Sequence, residues 1–499
     1  MARLGVPAQA MRNFFSILLA FALGGLNNLV VLPWAFSDDL AEWGLIRVAA
    51  AWASLLAPIL LFGAPAAMNR YSASMGRLQQ VPRLLGTLLW PPIVLFTGFV
   101  ALPALVFPEG IADMLSLEGH NRRAVRPIAI LAGIQTAQLF LAGFLTTKLK
   151  TALTTFAQET VFKLGYLCLA LALGLGWLGS TSFLPAFVGL HVFVLLVLLA
   201  QAVANHLRLD LRGVGKTPKR KEIRQYGGAL ILGSGAWIIL NQLDIIMIGN
   251  LMGLEHVPAF TVAAFIATVS SIPMRSSQKL LRPLISSALD RNDNLEIERL
   301  TAMSHRHLLL GCGWILTCIW VTTPQINAVL PSGFQELGWV ILVIGLIKMI
   351  LSSSTGSGIL LAQSDHFKKM VFVKWFAVLL AIPLNFLFIP DGGLGLGLLG
   401  AALATFISIG ISVLARQVII WHVWNRFIPE KRTLLTLAVL LIPAVLLMQW
   451  NPNWPAVSII FLKSGLVTLW TAWASTRLNL IPEGVDFAVQ KFPWLAKWV

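Results

Sequence analysis

The chain has 499 residues, 57% hydrophobic and only 12% charged, with a formal charge of +16. A soluble domain carries about 25% charged residues, so this composition leaves too few charges to cover a water-facing surface. The basic excess sits in alternate loops, a pattern that membrane orientation explains and nucleic-acid binding does not. Apolar runs long enough to cross a bilayer, about 18 residues or more, recur along the chain. They predict about fourteen spans at 13–35, 45–67, 84–107, 127–146, 153–178, 184–206, 227–251, 258–279, 307–330, 337–361, 371–390, 396–420, 434–450 and 456–476. Each is read as a helix, because backbone groups in lipid must be satisfied within the segment and barrel-type alternation is absent. The first run lacks a convincing cleavage site and reads as a retained helix. Cys168, Cys312 and Cys318 all fall in apolar segments and suggest neither a disulfide framework nor a metal site.

The loops give an orientation. One set carries Arg70, Arg77 and Arg83, then Lys148 and Lys150, the run from Arg208 to Arg224, the loop from Arg282 to Arg306, Lys368 and Lys369, and Arg426 to Arg432. The alternate set carries Asp38, Asp39, Glu42, Glu255, Glu336 and Asp391, with one basic cluster at Arg122, Arg123 and Arg126. The positive-inside rule puts the first set and both termini in the cytoplasm. The expected localisation is a bacterial cytoplasmic (inner) membrane. The loop 207–225 reads as a basic linker between two lobes, and 280–306 as a helix pair or elbow. The aromatic and basic tail from Asp486 to Val499 reads as a segment lying in the inner interface.

An ungapped match supports two lobes. Gly44 to Pro58 aligns on Ala259 to Pro273, both after a short acidic outer loop, and parallel repeats are a known transporter architecture. The expected organisation is an all-α polytopic membrane protein in three parts. These are an N-lobe over 1–225, a C-lobe over 226–432, and two further helices with the tail over 433–499.

Three stretches carry a family resemblance. They are the acidic turn Asp38-Asp-Leu-Ala-Glu-Trp-Gly44, then Leu243-Asp-Ile-Ile-Met-Ile-Gly249 with Gly253, and Gly358-Ile-Leu-Leu-Ala-Gln-Ser-Asp365 with Asn385, Pro390 and Gly400 to Thr405. In that order they make the chain resemble the polysaccharide-transporter (O-antigen and exopolysaccharide flippase) family. That family is part of the multidrug/oligosaccharidyl-lipid/polysaccharide exporter superfamily. The resemblance implies fourteen helices, two six-helix lobes around a central cavity, and alternating access. The N-terminal half departs more from the family pattern than the C-terminal half.

Charges inside spans are the informative positions, because an ionised group at a helix centre costs about 2.5–3.5 kcal/mol on insertion scales. Arg47, Arg275 and Lys348 are the preferred bases for a substrate pyrophosphate, whose hydration a cationic cavity would replace. Each could instead snorkel, Lys348 least easily. Lys163 is a further candidate for the substrate and Glu159 for coupling or charge balance; they stand four residues apart, spacing that also suits an ion pair on one helix face. Asp244 either binds a coupling cation or proton, or balances a base. Asn27, Asn28, Gln135 and Gln138 could meet sugar hydroxyls or pack helices. Lys463 could snorkel or face lipid.

The expected function is a flippase that moves a lipid-linked anionic oligosaccharide from the inner to the outer leaflet. It would work within the lipid bilayer, alongside other polysaccharide-assembly membrane proteins and without nucleic acid. No cofactor is expected, and coupling to the membrane potential, H+ or Na+ stays open. Each negative charge moved outward gains about 2.3 kcal/mol per 100 mV. A phosphate-loop motif for ATP is absent. One alternative is a drug/cation antiporter, which should present acids in its first lobe; the first span has none between 13 and 35. The other is a membrane glycosyltransferase or polymerase with a metal on Asp38 and Asp39, but no large outer loop follows to house an acceptor.

Overall fold

The computed structural model describes residues 19–77, 80–115, 117, 119–148, 150–210, 220–331, 333–334, 337–425 and 431–482. Among these, every regular element is a helix. We number those used below. They are α1 (Leu19–Ala35), α2 (Leu40–Leu60), α3 (Ala64–Arg77), α4 (Val81–Val106), α5 (Arg122–Thr147), α6 (Ala152–Gly174) and α7 (Ser180–Ala204). Then come α8 (Arg220–Leu251), α9 (Val257–Thr268), α10 (Ile272–Asp290), α11 (Asn294–Val321), α12 (Thr323–Val329), α13 (Gly338–Ser353) and α14 (Thr355–Gln363). The last are α15 (Phe367–Phe388), α16 (Gly397–Trp424), α17 (Lys431–Met448) and α18 (Ala456–Arg477).

Among the described residues, nine helices are long and apolar enough to cross a membrane, and eleven spans result if the bent pairs α11–α12 and α13–α14 each count as one. Three shorter apolar helices, Leu19–Ala35, Gly235–Leu251 and Arg432–Met448, complete a one-for-one match with the predicted segments. The chain is a multi-pass membrane protein. The exposed side chains of Phe372, Leu379, Leu441, Leu446, Phe461 and Leu469 present its apolar outer faces.

Several boundaries move for local reasons. The second span starts at Leu40, not 45, because the Asp39 carboxylate accepts from Glu42 N at 3.1 Å and caps the helix. Most of the acidic turn is therefore the first turn of α2. That helix stops at Leu60, where Gly63 turns the chain with φ +70° into the separate α3. Helix α8 already begins at Arg220, within the expected linker; residues 211–219 lie outside the described set. The 280–306 region is the predicted helix pair. Helix α10 ends at Asp290, and Asp293 caps α11 through Glu296 N at 3.0 Å. The predicted interfacial tail, 486–499, lies outside the described residues.

Three turns are wider than α-helical: Asn27–Val31, Thr97–Ala101 and Phe156–Val161. The first two lie just ahead of Pro33 and Pro103. Proline has no N–H for the carbonyl four residues back, and its ring presses on that carbonyl. A local widening relieves both problems. The third contains no proline.

The chain divides into two compact units, Met1–Pro258 and Ala259–Val499, and α8 belongs to the first. In unit 1, Met68, Met75, Leu84, Phe144, Leu145, Leu198 and Ile223 form a buried core. In unit 2, Leu281, Ile285, Ile297, Leu300 and Leu360 join α10, α11 and α14. Unit 2 also contains α17 and α18. The Trp470 indole donates to Val439 O at 2.8 Å, and the Trp314 indole donates to Thr468 Oγ1 at 3.1 Å.

Candidate functional site

In unit 1, α2 carries two charges on adjacent turns, and they meet different fates. Glu42 is buried and receives a hydrogen bond from the guanidinium of Arg123 at the start of α5. Arg47 has no such partner. Its Nε is buried without a hydrogen bond, and no carboxylate among the described residues forms an ion pair with it. Tyr166, buried on α6, lies within its electrostatic reach. Tyr166 belongs to an aromatic group. Phe36 stacks on Trp43 with ring centroids 6.0 Å apart, and Phe183 meets Phe36 at 5.0 Å and Tyr166 at 5.9 Å.

The other unit 1 positions are engaged. Lys163 Nζ donates to Glu159 Oε2 at 2.9 Å, the ion pair expected from their spacing. Glu159 lies in the wide turn Phe156–Val161. The Asn27 amide, in the wide turn of α1, donates to Lys163 O at 2.9 Å and joins α1 to α6. Its Oδ1 is buried without a partner. Asn28 donates within its own helix to Gly24 O at 2.8 Å. Gln135 Oε1 accepts from Ser54 Oγ at 3.3 Å, and Gln138 Nε2 donates to His191 O at 2.7 Å. Asp244 is buried on α8 and engaged by its surroundings. Of the site candidates, Asn27, Lys163 and Glu159 are brought together.

In unit 2, Arg275 is exposed in the first turn of α10, and Lys348 is half-buried on α13 and engaged by a neighbour. Lys463 neither snorkels nor faces lipid. It is fully buried, and its Nζ donates to Val321 O at 2.9 Å and to Asn451 Oδ1 at 3.0 Å. Val321 ends α11, where the span bends by 57° into α12. The bend frees a carbonyl at a negative helix end, and a lysine there satisfies both the oxygen and the dipole. Gln325 on α12 donates to the same Asn451 oxygen at 2.8 Å.

Two bases escape the sequence reading. Arg416 on α16 is 8% exposed, and its Nη2 donates to Ser354 Oγ at 3.2 Å. Lys374 on α15 is half-buried. Both lie inside predicted spans, so the test that picked Lys348 would have found them. Asp39, a metal ligand in the enzyme alternative, is taken up by helix capping. No metal-binding cluster occurs among the described residues.

No family model matches the chain, and no curated protein is similar to it in sequence. Solved structures are similar in fold. A structure described as lipid II flippase MurJ in the inward closed conformation superposes with a TM-score of 0.70 at 14% identity, over 95% of this chain and 99% of that one. The likeness is one of fold. An inward-facing multidrug resistance MATE family transporter of the MOP superfamily gives 0.63 at 12% identity, over 84% of this chain and 94% of its own. A MOP superfamily transporter from Pyrococcus furiosus, described as having a binding pocket of reverse polarity, gives 0.55 at 12% identity, over 84% and 96%. The fold class expected from the sequence is therefore the observed one.

Proposed function

We propose that the protein is a flippase that carries a lipid-linked anionic oligosaccharide, on a polyprenyl pyrophosphate, from the inner to the outer leaflet by alternating access. The observation that carries this reading is Arg47, a base inside a span with no carboxylate partner among the described residues. Glu42 and Glu159, the acids of α2 and α6, are neutralised by Arg123 and Lys163. The sign left over is positive, which suits a diphosphate and opposes a cationic drug. Arg275 and Lys348 are proposed as further bases that meet the same group during passage. Asn27, Asn28, Gln135 and Gln138 are proposed to border the sugar's route, and Asp244 to balance a base. The likeness in fold to a lipid II flippase supports a lipid-linked substrate.

The positive-inside pattern supports an inner-membrane protein with both termini in the cytoplasm. The membrane potential could drive outward passage of the anion without ATP. The test is export of surface polysaccharide in cells carrying Arg47→Ala or Lys348→Ala, with protein level checked by blot. Export should be lost while the protein persists. Normal export in the Arg47→Ala strain would remove the central residue of this proposal.

A further inference from the structure

Two bases of unit 2 lie near one end of neighbouring helices, and a third, Arg282, lies within electrostatic reach. Helices α15 and α16 are antiparallel neighbours joined by the turn 389–396. Lys374 lies seven residues inside the start of α15, and Arg416 lies eight residues before the end of α16. At 1.5 Å per residue both sit about 10–12 Å in from the same end. That end carries Lys368 and Lys369. Helix α14 packs against both α15 and α16, and α10 packs on α14. Gln363 Nε2 holds α10 to α14 by donating to Arg282 O at 3.2 Å. Arg282 itself is exposed. Lys374 lies within the electrostatic reach of both Arg416 and Arg282.

Space is kept for the arginine. A Cβ on Gly358 of α14 would fall 3.0 Å from Arg416 Nη1. The span bends by 51° between α13 and α14, and Ser354 at the break accepts from Arg416 Nη2. Arg416 Nε is buried with no partner. Among the described residues no carboxylate forms an ion pair with Arg416, Lys374 or Arg282, and Asp365, in the turn between α14 and α15, pairs with none of them. The buried Arg416 and the half-buried Lys374 carry like charges with the exposed Arg282 within reach, and an anion with several acceptor oxygens would relieve their repulsion.

We infer that Arg416, Lys374 and Arg282 form a binding site for the phosphate group of a lipid, at the basic end of unit 2. Arg416 supplies the fixed fork, Lys374 a movable point charge beside it, and Arg282 the outer rim. The ligand chemistry is a phosphate or diphosphate ester. Its source is either the diphosphate of a carried lipid or the headgroup of an acidic phospholipid. The inference concerns binding by unit 2 alone and does not depend on the role proposed for Arg47.

The test uses the purified full chain. Inorganic pyrophosphate is titrated while the thermal unfolding midpoint is followed. In parallel, phosphatidylglycerol retained from discs of phosphatidylcholine and phosphatidylglycerol is counted by native mass spectrometry. Arg416→Gln should weaken binding of one of the probes by about tenfold, and Arg416→Lys should recover part of it. Loss confined to pyrophosphate assigns the site to a diphosphate, and loss confined to phosphatidylglycerol assigns it to a headgroup. Should Arg416→Gln fail to fold, the double variant Lys374→Gln, Arg282→Gln carries the test by the same criterion. A well-folded variant that binds both probes like the unaltered chain overturns the inference, and so does an unaltered chain that binds neither. Polysaccharide export need not be measured, so failure here is separable from failure of the flippase reading.

Discussion

Gly44 stands so close to Leu254 that a Cβ on it would lie 1.8 Å from the Leu254 carbonyl oxygen. The early part of α2 thus rests directly on the backbone of the turn Leu254–His256, which Gly253 enters with φ +111°. Any side chain at position 44 must separate the two. Gly44→Ala should lower stability by about 1–3 kcal/mol. The check is the temperature at which the detergent-solubilised protein leaves the monodisperse peak in size-exclusion chromatography. An unshifted temperature would mean the contact gives way freely.

The Glu42–Arg123 pair should behave as a unit. Arg123→Ala leaves a buried carboxylate uncompensated and should destabilise by about 1–3 kcal/mol. Glu42→Gln added to it should restore part of that loss, because the neutral amide no longer needs a cation. Thermal melts of the two single variants and the double form the cycle. Additive losses would show that the two residues do not depend on each other.

Lys463 should matter for folding and not for the sign of the substrate. Lys463→Met keeps the length of the side chain but removes the donor to Val321 O and Asn451 Oδ1. It should cost about 1–3 kcal/mol. Transport per folded molecule should hold. A variant that melts normally but fails to export would contradict the capping role.

Orientation can be read by labelling. In a background lacking Cys168, Cys312 and Cys318, a cysteine placed at Leu209 should resist an impermeant maleimide added to intact cells. One placed at Asp391 should react. The reverse pattern would invert the assigned topology.

Much of the fold was legible because lipid imposes a length and a polarity on every span, and fourteen apolar runs of that length stand apart in the sequence. The breaks were less legible. Pro33 and Pro103 announce two of the wide turns, but nothing local marks Phe156–Val161 or the bend at Ser354. The ion pair of Glu159 and Lys163 followed from their spacing alone. The partner of Glu42 did not, since Arg123 comes from a loop 81 residues away. Lys463 was ambiguous for a similar reason. Its acceptor is a main-chain oxygen exposed by a bend, and such an oxygen has no signature in the side-chain sequence. Arg416 needed no structure to be noticed, only the same scrutiny given to Lys348; its tie to Ser354 did.

The last two helices read from sequence as an addition to a twelve-helix body. Side-chain bonds fix them to the rest of unit 2. Trp470, Trp314 with Thr468, and Lys463 tie α17 and α18 to each other and to α11, through an indole, a hydroxyl and an ammonium group. A chain cut before Lys431 would therefore not be a self-sufficient fold. It would strand the Val321 carbonyl in an apolar setting and uncover the α11 face against which Leu440 packs beside Gly313. Gene truncation or domain grafting at that boundary should yield an unfolded second unit.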